Sequence, residues 1–142
     1  MNTSVGKAGR DFVGVGVGAV VVNEGKILLL LRKKAPEEGS WTIPGGKVEF
    51  GETVENAILR EVKEEIGAEA TIVRALGVTN HILAAEGTHW VSPRFLVELT
   101  SQPKNMEPHS HADMQWFDFD ELPKNVTLTT QKALAAFLES LN

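Results

Sequence analysis

An unbroken run of five aliphatic residues, Ile27 to Leu31, constrains the fold more than any other feature of the chain. The run follows an Asn-Glu-Gly turn at residues 23–25 and ends at Arg32. Successive side chains of a β-strand point to opposite faces, so a strand made only of aliphatic residues needs apolar cover on both sides. The sequence therefore predicts a central strand packed between two layers.

A second strand is predicted immediately before this one. Within residues 12–22, Val13, Val15 and Val17 alternate with glycines, and a two-residue period is typical of a strand. Since turn residues separate it from residues 26–31, the two segments are expected to form a hairpin.

The remaining patterns predict both strands and helices. We expect strands at 70–80, 90–100 and 115–119, and helices at 53–66 and 128–141. Gly67 occupies the position of a helix C-cap. Because neither an internal repeat nor a linker is visible, residues 1–142 are interpreted as a single mixed α/β domain, with residues 1–11 as a loose N-terminal tail.

Composition excludes several classes of protein. A chain of 142 residues with 42% hydrophobic and 23% charged residues is typical of one globular domain. With no cysteine, a disulfide scaffold and a cysteine-ligated zinc site are excluded, and we expect a reducing, cytoplasmic location. A net charge of −5 argues against binding of a nucleic-acid polymer. No segment offers the roughly 18 uninterrupted apolar residues of a membrane span.

The helix predicted at 53–66 carries carboxylates on its apolar face. At about 100° per residue, Glu61, Glu64 and Glu65 fall on the same side as Val54 and Ile58. Burying charges without a partner is costly, so this arrangement needs a cation. Only oxygen ligands are available within the segment, and these favour Mg²⁺ or Mn²⁺ over Zn²⁺.

This segment resembles the Nudix box, written G-x5-E-x7-R-E-U-x-E-E-x-G-U with U an aliphatic residue. All seven fixed positions match: Gly46, Glu52, Arg60, Glu61, Glu64, Glu65 and Gly67. The final position, Ala68, is smaller than the usual aliphatic residue. The resemblance implies a Nudix-type α/β/α sandwich, with a mixed β-sheet between helices. It also implies a hydrolase that acts on a nucleoside diphosphate linked to a further group X.

The resemblance also implies roles for individual residues. Glu61, Glu64 and Glu65 would bind the divalent metal, together with the backbone carbonyl of Gly45. Arg60 would hold Glu61 in place, and Glu52 would brace the preceding loop on the helix. Members of the family often add one acidic ligand from a later loop, where this chain has Glu107. Glu61 or Glu64 is the expected general base, with Glu107 as the rival candidate.

Candidate substrate contacts lie outside the box. Arg32 and Lys47 are the candidates for binding phosphate, to which a guanidinium is well suited. Asn125 and Phe12 are the candidates for contacting the base. The four histidines, His81, His89, His109 and His111, lack the spacing of a metal site and are interpreted as loop or substrate-side groups.

The group X is the least constrained part of the interpretation. Family members that act on ADP-ribose tend to have a proline where this chain has Ala84, and those acting on dinucleoside polyphosphates tend to have a tyrosine, which is absent here. The resemblance to the small MutT-like branch favours a nucleoside or deoxynucleoside triphosphate, cleaved to monophosphate and pyrophosphate. The alternatives are a nucleotide-sugar or ADP-ribose hydrolase and a non-catalytic nucleotide-binding regulator. A homodimer could form if the Val-Gly strand paired across a two-fold axis.

Overall fold

The computed structural model of the protein describes residues 6–142. The strands of this part of the chain are β1 (Gly14–Asn23), β2 (Lys26–Arg32), β3 (Trp41–Thr42), β4 (Gly45–Lys47), β5 (Ala70–Leu83), β6 (Thr88–Leu99) and β7 (His111–Asp118). The α-helices are α1 (Val54–Ile66) and α2 (Leu128–Glu139). Short 3-10 turns at Ala84–Glu86 and Phe119–Glu121 follow β5 and β7.

The strands form one mixed sheet in the order β3-β2-β1-β6-β5. The central strand β1 runs parallel to β6 and antiparallel to both β2 and β4. β7 pairs antiparallel with β2. The long β5–β6 hairpin completes the far side of the sheet. The predicted strands are all present, and β3 and β4 are two short strands in addition to them.

A helix covers each face of the sheet. Ala57, Ile58, Val62 and Ile66 of α1 belong to one apolar cluster, which also contains Leu28 and Leu30. Ala133, Leu134 and Phe137 of α2 belong to a second cluster, which contains Ile27 and Leu29. All four of these β2 side chains are 0% exposed. The predicted strand with two buried faces and the predicted α/β/α sandwich are therefore confirmed.

The ends of α1 are set by local capping groups. The Thr53 hydroxyl accepts a hydrogen bond from the Asn56 N–H at 3.1 Å. Gly67 adopts the left-handed conformation with φ 61°, and its N–H donates to the Lys63 carbonyl. The predicted helix boundaries are confirmed. Ala68, the atypical last residue of the box, is buried in the cluster beneath α1. Neither helix found between residues 6 and 142 combines the length and the apolar character needed to cross a bilayer.

The N-terminal segment makes contacts that the sequence analysis did not anticipate. Residues 1–5 of the expected tail lie outside the described residues. Residues 7–11 form a turn in which the Asp11 N–H donates to the Lys7 carbonyl at 2.9 Å. The Gly9 carbonyl of this turn accepts from the His89 N–H at 2.8 Å. The described part of the segment is thus joined to β6.

The expected pairing of β1 across a two-fold axis is wrong. From Gly14 to Val21 one edge of β1 pairs with β6. The other edge pairs with β4 through Gly16 to Gly18 and with β2 beyond them. Because both edges are already used, this strand is not available to a second copy. The oligomeric state itself stays a prediction.

Buried threonines of α2 fix the segment that leads into the candidate site. The Thr130 hydroxyl accepts a hydrogen bond from the Ile43 N–H at 2.9 Å and is fully buried. It also lies 2.8 Å from the hydroxyl of Thr127, the N-cap of α2. Ile43 immediately precedes Pro44 and β4. These contacts position the Pro-Gly-Gly segment relative to the sheet.

Replacing Thr130 with valine removes this acceptor at nearly constant shape. The Ile43 N–H is then buried without a partner, so we expect Thr130→Val to lower the free energy of unfolding by about 1 to 3 kcal/mol. Urea denaturation followed by circular dichroism measures the change. Thr129→Val, one residue away and only partly buried, is the control and is expected to change stability by less than about 0.5 kcal/mol. Equal urea midpoints for wild type and Thr130→Val would contradict the assigned role.

Candidate active site

Arg60 joins α1 to the loop that precedes it. Its Nε donates to Glu52 Oε2 at 2.6 Å and its Nη2 donates to Glu52 Oε1 at 2.9 Å, a two-bond pair of the kind that guanidinium geometry favours. Nη2 also donates to the Lys47 carbonyl at 2.9 Å. Glu52 in turn accepts from the Glu49 N–H at 3.0 Å, which closes the loop. The expected bracing function of Glu52 agrees with these contacts.

The same guanidinium contacts two carboxylates of the box. Its Nη1 donates to Glu61 Oε1 at 3.1 Å and to Glu64 Oε2 at 3.1 Å. Hydrogen bonding to Arg60 holds the pKa of Glu52 at about 2, well below its ordinary value. The Glu52 and Glu64 carboxylates raise the pKa of Arg60 above its usual range. Arg60 is therefore a fixed positive charge at the base of the acidic face.

The Glu61 carboxylate packs against Gly46 of β4. Its side chain is only 13% exposed, compared with 50% for that of Glu64. Burial, together with the neighbouring Glu64 carboxyl, raises the pKa of Glu61 to about 7. A Cβ atom at Gly46 would collide with the Glu61 carboxylate, so any side chain there would require Glu61 to move.

Glu65 is held by the backbone of the same segment. The Gly45 N–H donates to Glu65 Oε1 at 2.8 Å. Burial raises the pKa of Glu65 well above its ordinary value, and the carboxylates of Glu61 and Glu107 raise it further. The box therefore carries acidic groups whose charged forms are disfavoured without an added cation. The expected metal contact of the Gly45 carbonyl stays a prediction.

A later loop packs against the C-terminal end of α1. The N–H groups of Lys104 and Met106 donate to the carbonyls of Ile66 and Glu65, at 2.7 and 3.0 Å. These carbonyls lie in the last turn of the helix and lack partners inside it. The loop satisfies them, and this contact carries Glu107 toward the acidic face.

Glu107 and His111 lie at the two ends of one hydrogen-bonded turn. The His111 N–H donates to the Glu107 carbonyl at 2.9 Å. Asn105 braces this turn, since its Nδ2 donates to the His111 carbonyl at 2.9 Å and its Oδ1 accepts from the Glu107 N–H at 3.2 Å. Ligand atoms of Glu65, Glu107 and His111 all lie within 4.8 Å of one another. The group could hold a metal ion.

His111, predicted as a loop or substrate-side group, lies beside the carboxylates. The imidazole side chain is 7% exposed, and its Nε2 lies 3.9 Å from Glu65 Oε2. Within residues 6–142, its buried Nδ1 has no hydrogen-bond partner. Burial and the nearby Arg32 charge lower the pKa of His111, which favours the neutral ring. The sequence feature that could have indicated this role is the four-residue spacing between Glu107 and His111 in a polar loop.

A cleft of about 350 Å³ opens beside these groups. Gly16 and Gly18 of β1 line it without side chains. Trp90 and Ser92 of β6 and the first turn of α2 line it as well, and so do the site residues Arg32, Lys47, Glu65 and His111. Acidic, basic and aromatic groups therefore share one cavity.

The structure separates the predicted substrate residues into two pairs. Arg32 and Lys47 line the cleft. The Arg32 Nε donates to the Pro36 carbonyl at 2.8 Å, and the Lys47 Nζ lies 5.8 Å from the centroid of the Trp90 ring. Asn125 and Phe12 are not among the described residues that line it.

Asn125 instead connects two loops. Its side-chain amide donates to the Gly39 carbonyl, and its own carbonyl accepts from the Trp41 N–H at 2.8 Å. These contacts fix the loop between β2 and β3 against the segment before α2. A structural role accounts for all of them.

Glu37, which the sequence analysis did not single out, spans the cleft from the β2–β3 loop. Its Oε2 accepts from the Leu128 N–H at the start of α2, at 2.8 Å. Its Oε1 lies 3.4 Å from His81 Nε2. A carboxylate at a helix N-terminus is favoured by the helix dipole. Of the other histidines, His81 lines the cleft, whereas His89 and His109 are not among its described lining residues.

Comparison with known proteins agrees with this geometry. The model of the NUDIX domain family matches residues 13–137. The chain belongs to the Nudix family. The expected resemblance, fold class and assignment to the Nudix hydrolases are thus confirmed.

Three relatives illustrate the range of the family. A MutT NUDIX hydrolase from Burkholderia pseudomallei is 43% identical, with a TM-score of 0.86, and the match covers 89% of this chain and 98% of that one. An ADP-ribose pyrophosphatase from Methanocaldococcus jannaschii is 34% identical over 78% of this Nudix chain and 64% of its own length. A CTP pyrophosphohydrolase from Escherichia coli is 30% identical over 74% and 76%, respectively. The chain thus spans about two thirds of the archaeal protein.

The pair between Arg60 and Glu52 predicts a definite pH dependence. Since the pKa of Glu52 is about 2 in the folded protein and 4.5 ordinarily, the pair stabilises the fold above about pH 4.5 and this contribution disappears as the pH falls toward 2. Glu52→Gln, neutral at every pH, should therefore be less stable than wild type at pH 7, and the difference should shrink on acidification. Urea denaturation at several pH values measures it.

Glu49→Gln is the matched control, because the Glu49 carboxylate is 73% exposed and lies 3.9 Å from Arg60. Such an exposed pair contributes little to stability. A Glu52→Gln effect that stays constant from pH 7 to pH 3 would argue against the ion pair as its cause.

Proposed function

We propose that this Nudix domain hydrolyses a nucleoside or deoxynucleoside triphosphate to its monophosphate and pyrophosphate, with Mg²⁺ or Mn²⁺ as cofactor. The observation that carries the proposal is the shared cleft, which both Glu65 and Trp90 line. A site for metal and phosphate and a surface for an aromatic base thus belong to one cavity. Its volume, about 350 Å³, lies at the lower end of the usual range for small-molecule sites.

The acidic groups fit a divalent cation. Glu65, Glu107 and His111 offer donor atoms within 4.8 Å of one another, and Glu61 adds a carboxylate on the same helix face. Burial disfavours the charged forms of Glu61 and Glu65, and a cation would reverse this penalty. When bound, the ion would neutralise phosphate charge and make a water molecule more acidic.

Glu64 is the preferred candidate for accepting the proton from water. Its side chain is 50% exposed, whereas that of Glu61 is 13% exposed and abuts Gly46. Arg60 Nη1 contacts both Glu64 carboxylate oxygens, at 3.2 and 3.1 Å, and so orients the group. Arg60 therefore acts as a positioning residue, and Glu61 and Glu107 are the alternative bases.

The phosphates would lie near Arg32 and Lys47. Both residues line the cleft, and the Arg32 guanidinium is oriented by the carbonyls of Pro36 and Ala35, at 2.8 and 3.2 Å. These partners are neutral carbonyls rather than carboxylates, so the guanidinium can still attract an anion. The chain as a whole carries a net charge of −5 and gives no general attraction for phosphate. Local basic groups such as Arg32 and Lys47 are therefore needed to bind it.

The nucleoside would lie against β1 and β6. Gly16 and Gly18 give that part of the cleft a floor without side chains, while Trp90 supplies an aromatic surface. Stacking on such a ring tolerates many bases. The described residues thus support a nucleotide substrate and leave the choice of base to the remaining walls of the cleft.

The similar proteins support two substrate classes. The CTP pyrophosphohydrolase favours a nucleoside triphosphate. The archaeal ADP-ribose pyrophosphatase favours, as a second candidate, hydrolysis of ADP-ribose or a nucleotide sugar. The two classes differ in products, because only triphosphate cleavage between the α- and β-phosphates releases pyrophosphate.

A substrate screen tests the proposal directly. The purified protein with Mg²⁺ or Mn²⁺ is incubated with the eight common nucleoside and deoxynucleoside triphosphates, ADP-ribose and nucleotide sugars. We expect pyrophosphate and a nucleoside monophosphate from at least one triphosphate. Release of a nucleoside monophosphate and a sugar phosphate from ADP-ribose or a nucleotide sugar, with no pyrophosphate from any triphosphate, would favour the second candidate. Nucleotide binding without any turnover would favour the regulator.

Glu65→Gln tests the carboxylate at the centre of the site. Glutamine retains an oxygen that can accept from the Gly45 N–H, so the fold should survive. Removing a metal-binding charge should lower kcat by about 100-fold or more, since loss of groups that merely support ligands already costs about 10- to 100-fold. Steady-state kinetics measure the effect. Glu55→Gln, on the exposed side of α1, is the control, and unchanged turnover in Glu65→Gln would refute the assigned role.

A further inference from the structure

Among residues 6–142, no side-chain hydrogen bond accounts for the buried imidazole of His111. Its side chain is 7% exposed. In the part of the chain that the structure describes, Nδ1 is buried without a hydrogen bond. Buried polar atoms are nearly always paired, so an orphan of this kind calls for an explanation. Packing alone would be served better by an apolar side chain of similar size.

The other ring nitrogen faces the acidic group. Nε2 lies 3.9 Å from Glu65 Oε2, which is too long for a hydrogen bond. Two ligands of one metal ion, each at about 2.1 Å from it, can lie up to roughly that far apart. The Glu107 carboxylate belongs to the same group of ligand atoms, all within 4.8 Å of one another.

The backbone fixes this arrangement independently of any ion. Glu107 and His111 close one turn through the His111 N–H and the Glu107 carbonyl, 2.9 Å apart. Asn105 holds both ends of that turn. His111 is also the first residue of β7 and pairs with Arg32 of β2. The ring is thus held in place by the sheet on one side and by the braced turn on the other.

We propose that His111 supplies a nitrogen ligand to the ion held by Glu65 and Glu107, and that this ligand makes the site prefer Mn²⁺ to Mg²⁺. Mg²⁺ prefers oxygen ligands and gives up water reluctantly, whereas first-row transition ions accept imidazole readily. The inference rests on the proposed function, because it concerns the same metal site. It goes further in naming a donor outside the helix and the ion that this donor selects.

Metal binding to the full chain without nucleotide tests the inference. The signal of free Mn²⁺ in electron paramagnetic resonance gives its affinity, and competition gives that of Mg²⁺. Pulsed measurements on bound Mn²⁺ detect a directly coordinated nitrogen. In wild type we expect a ¹⁴N coupling typical of imidazole. His111→Gln should abolish it and weaken Mn²⁺ binding by about tenfold or more, while Mg²⁺ affinity changes by less than about threefold.

His109→Gln is the matched control, since His109 is exposed in the same loop and is not among the ligand group. It should keep both the ¹⁴N coupling and the Mn²⁺ affinity. Absence of a ¹⁴N coupling in wild type with Mn²⁺ bound would overturn the inference whether or not His111→Gln folds. Equal losses of Mn²⁺ and Mg²⁺ affinity in a folded His111→Gln would overturn the claimed preference.

The result is separable from that of the substrate screen. If Mn²⁺ binds without nitrogen coupling and nucleotides are still hydrolysed, the inference fails and the proposed function stands. If the coupling is present but no nucleotide is hydrolysed, the reverse holds. Glu65→Gln serves as a common reference, because it should weaken binding of both ions.

Discussion

One guanidinium makes it possible for α1 to carry its carboxylates on an inward face. Arg60 binds Glu52 through two hydrogen bonds and contacts Glu61 and Glu64 from the same side. Mutual repulsion and loss of water would otherwise oppose this arrangement. The fifth donor direction reaches the Lys47 carbonyl, so the charge that compensates the acidic face also secures the loop beside it. Electrostatic compensation and loop position therefore depend on a single side chain.

The contacts described for Arg60 do not include Glu65. Its carboxylate is held by the Gly45 N–H, a dipole rather than a charge, and burial raises its pKa well above the ordinary value. Glu107 adds a further negative group nearby. The arrangement is thus stable as folded but electrostatically incomplete in its ionised form. This is the charge distribution expected of a site that binds a divalent cation, as proposed above.

The sequence was sufficient for features whose determinants are local. The C-cap of α1, its amphipathic face and the strand character of β1 are encoded by neighbouring residues, and each was confirmed. Contacts between distant segments were less accessible. Glu107 was found only through the resemblance, and His111 was missed, because its neighbours come from α1 and β2. The base contact predicted for Asn125 stays a prediction, but only the folded loops reveal that its amide is bound to Gly39.

The contrast between local and long-range determinants also applies to the groups proposed for catalysis and to those proposed for substrate choice. The groups proposed to act on phosphate lie mostly within one continuous segment, where local spacing fixes their mutual arrangement. The walls that would contact the nucleoside come from β1, β6 and the start of α2, which meet only in the fold. Changes in those walls can alter the accepted group while Arg60 and its carboxylates stay in place. This explains how proteins that share the fold can carry names as different as ADP-ribose pyrophosphatase and CTP pyrophosphohydrolase. Trp90 and Glu37 line the cleft outside the motif that identifies the family, so we expect substrate choice in this protein to depend on such wall residues.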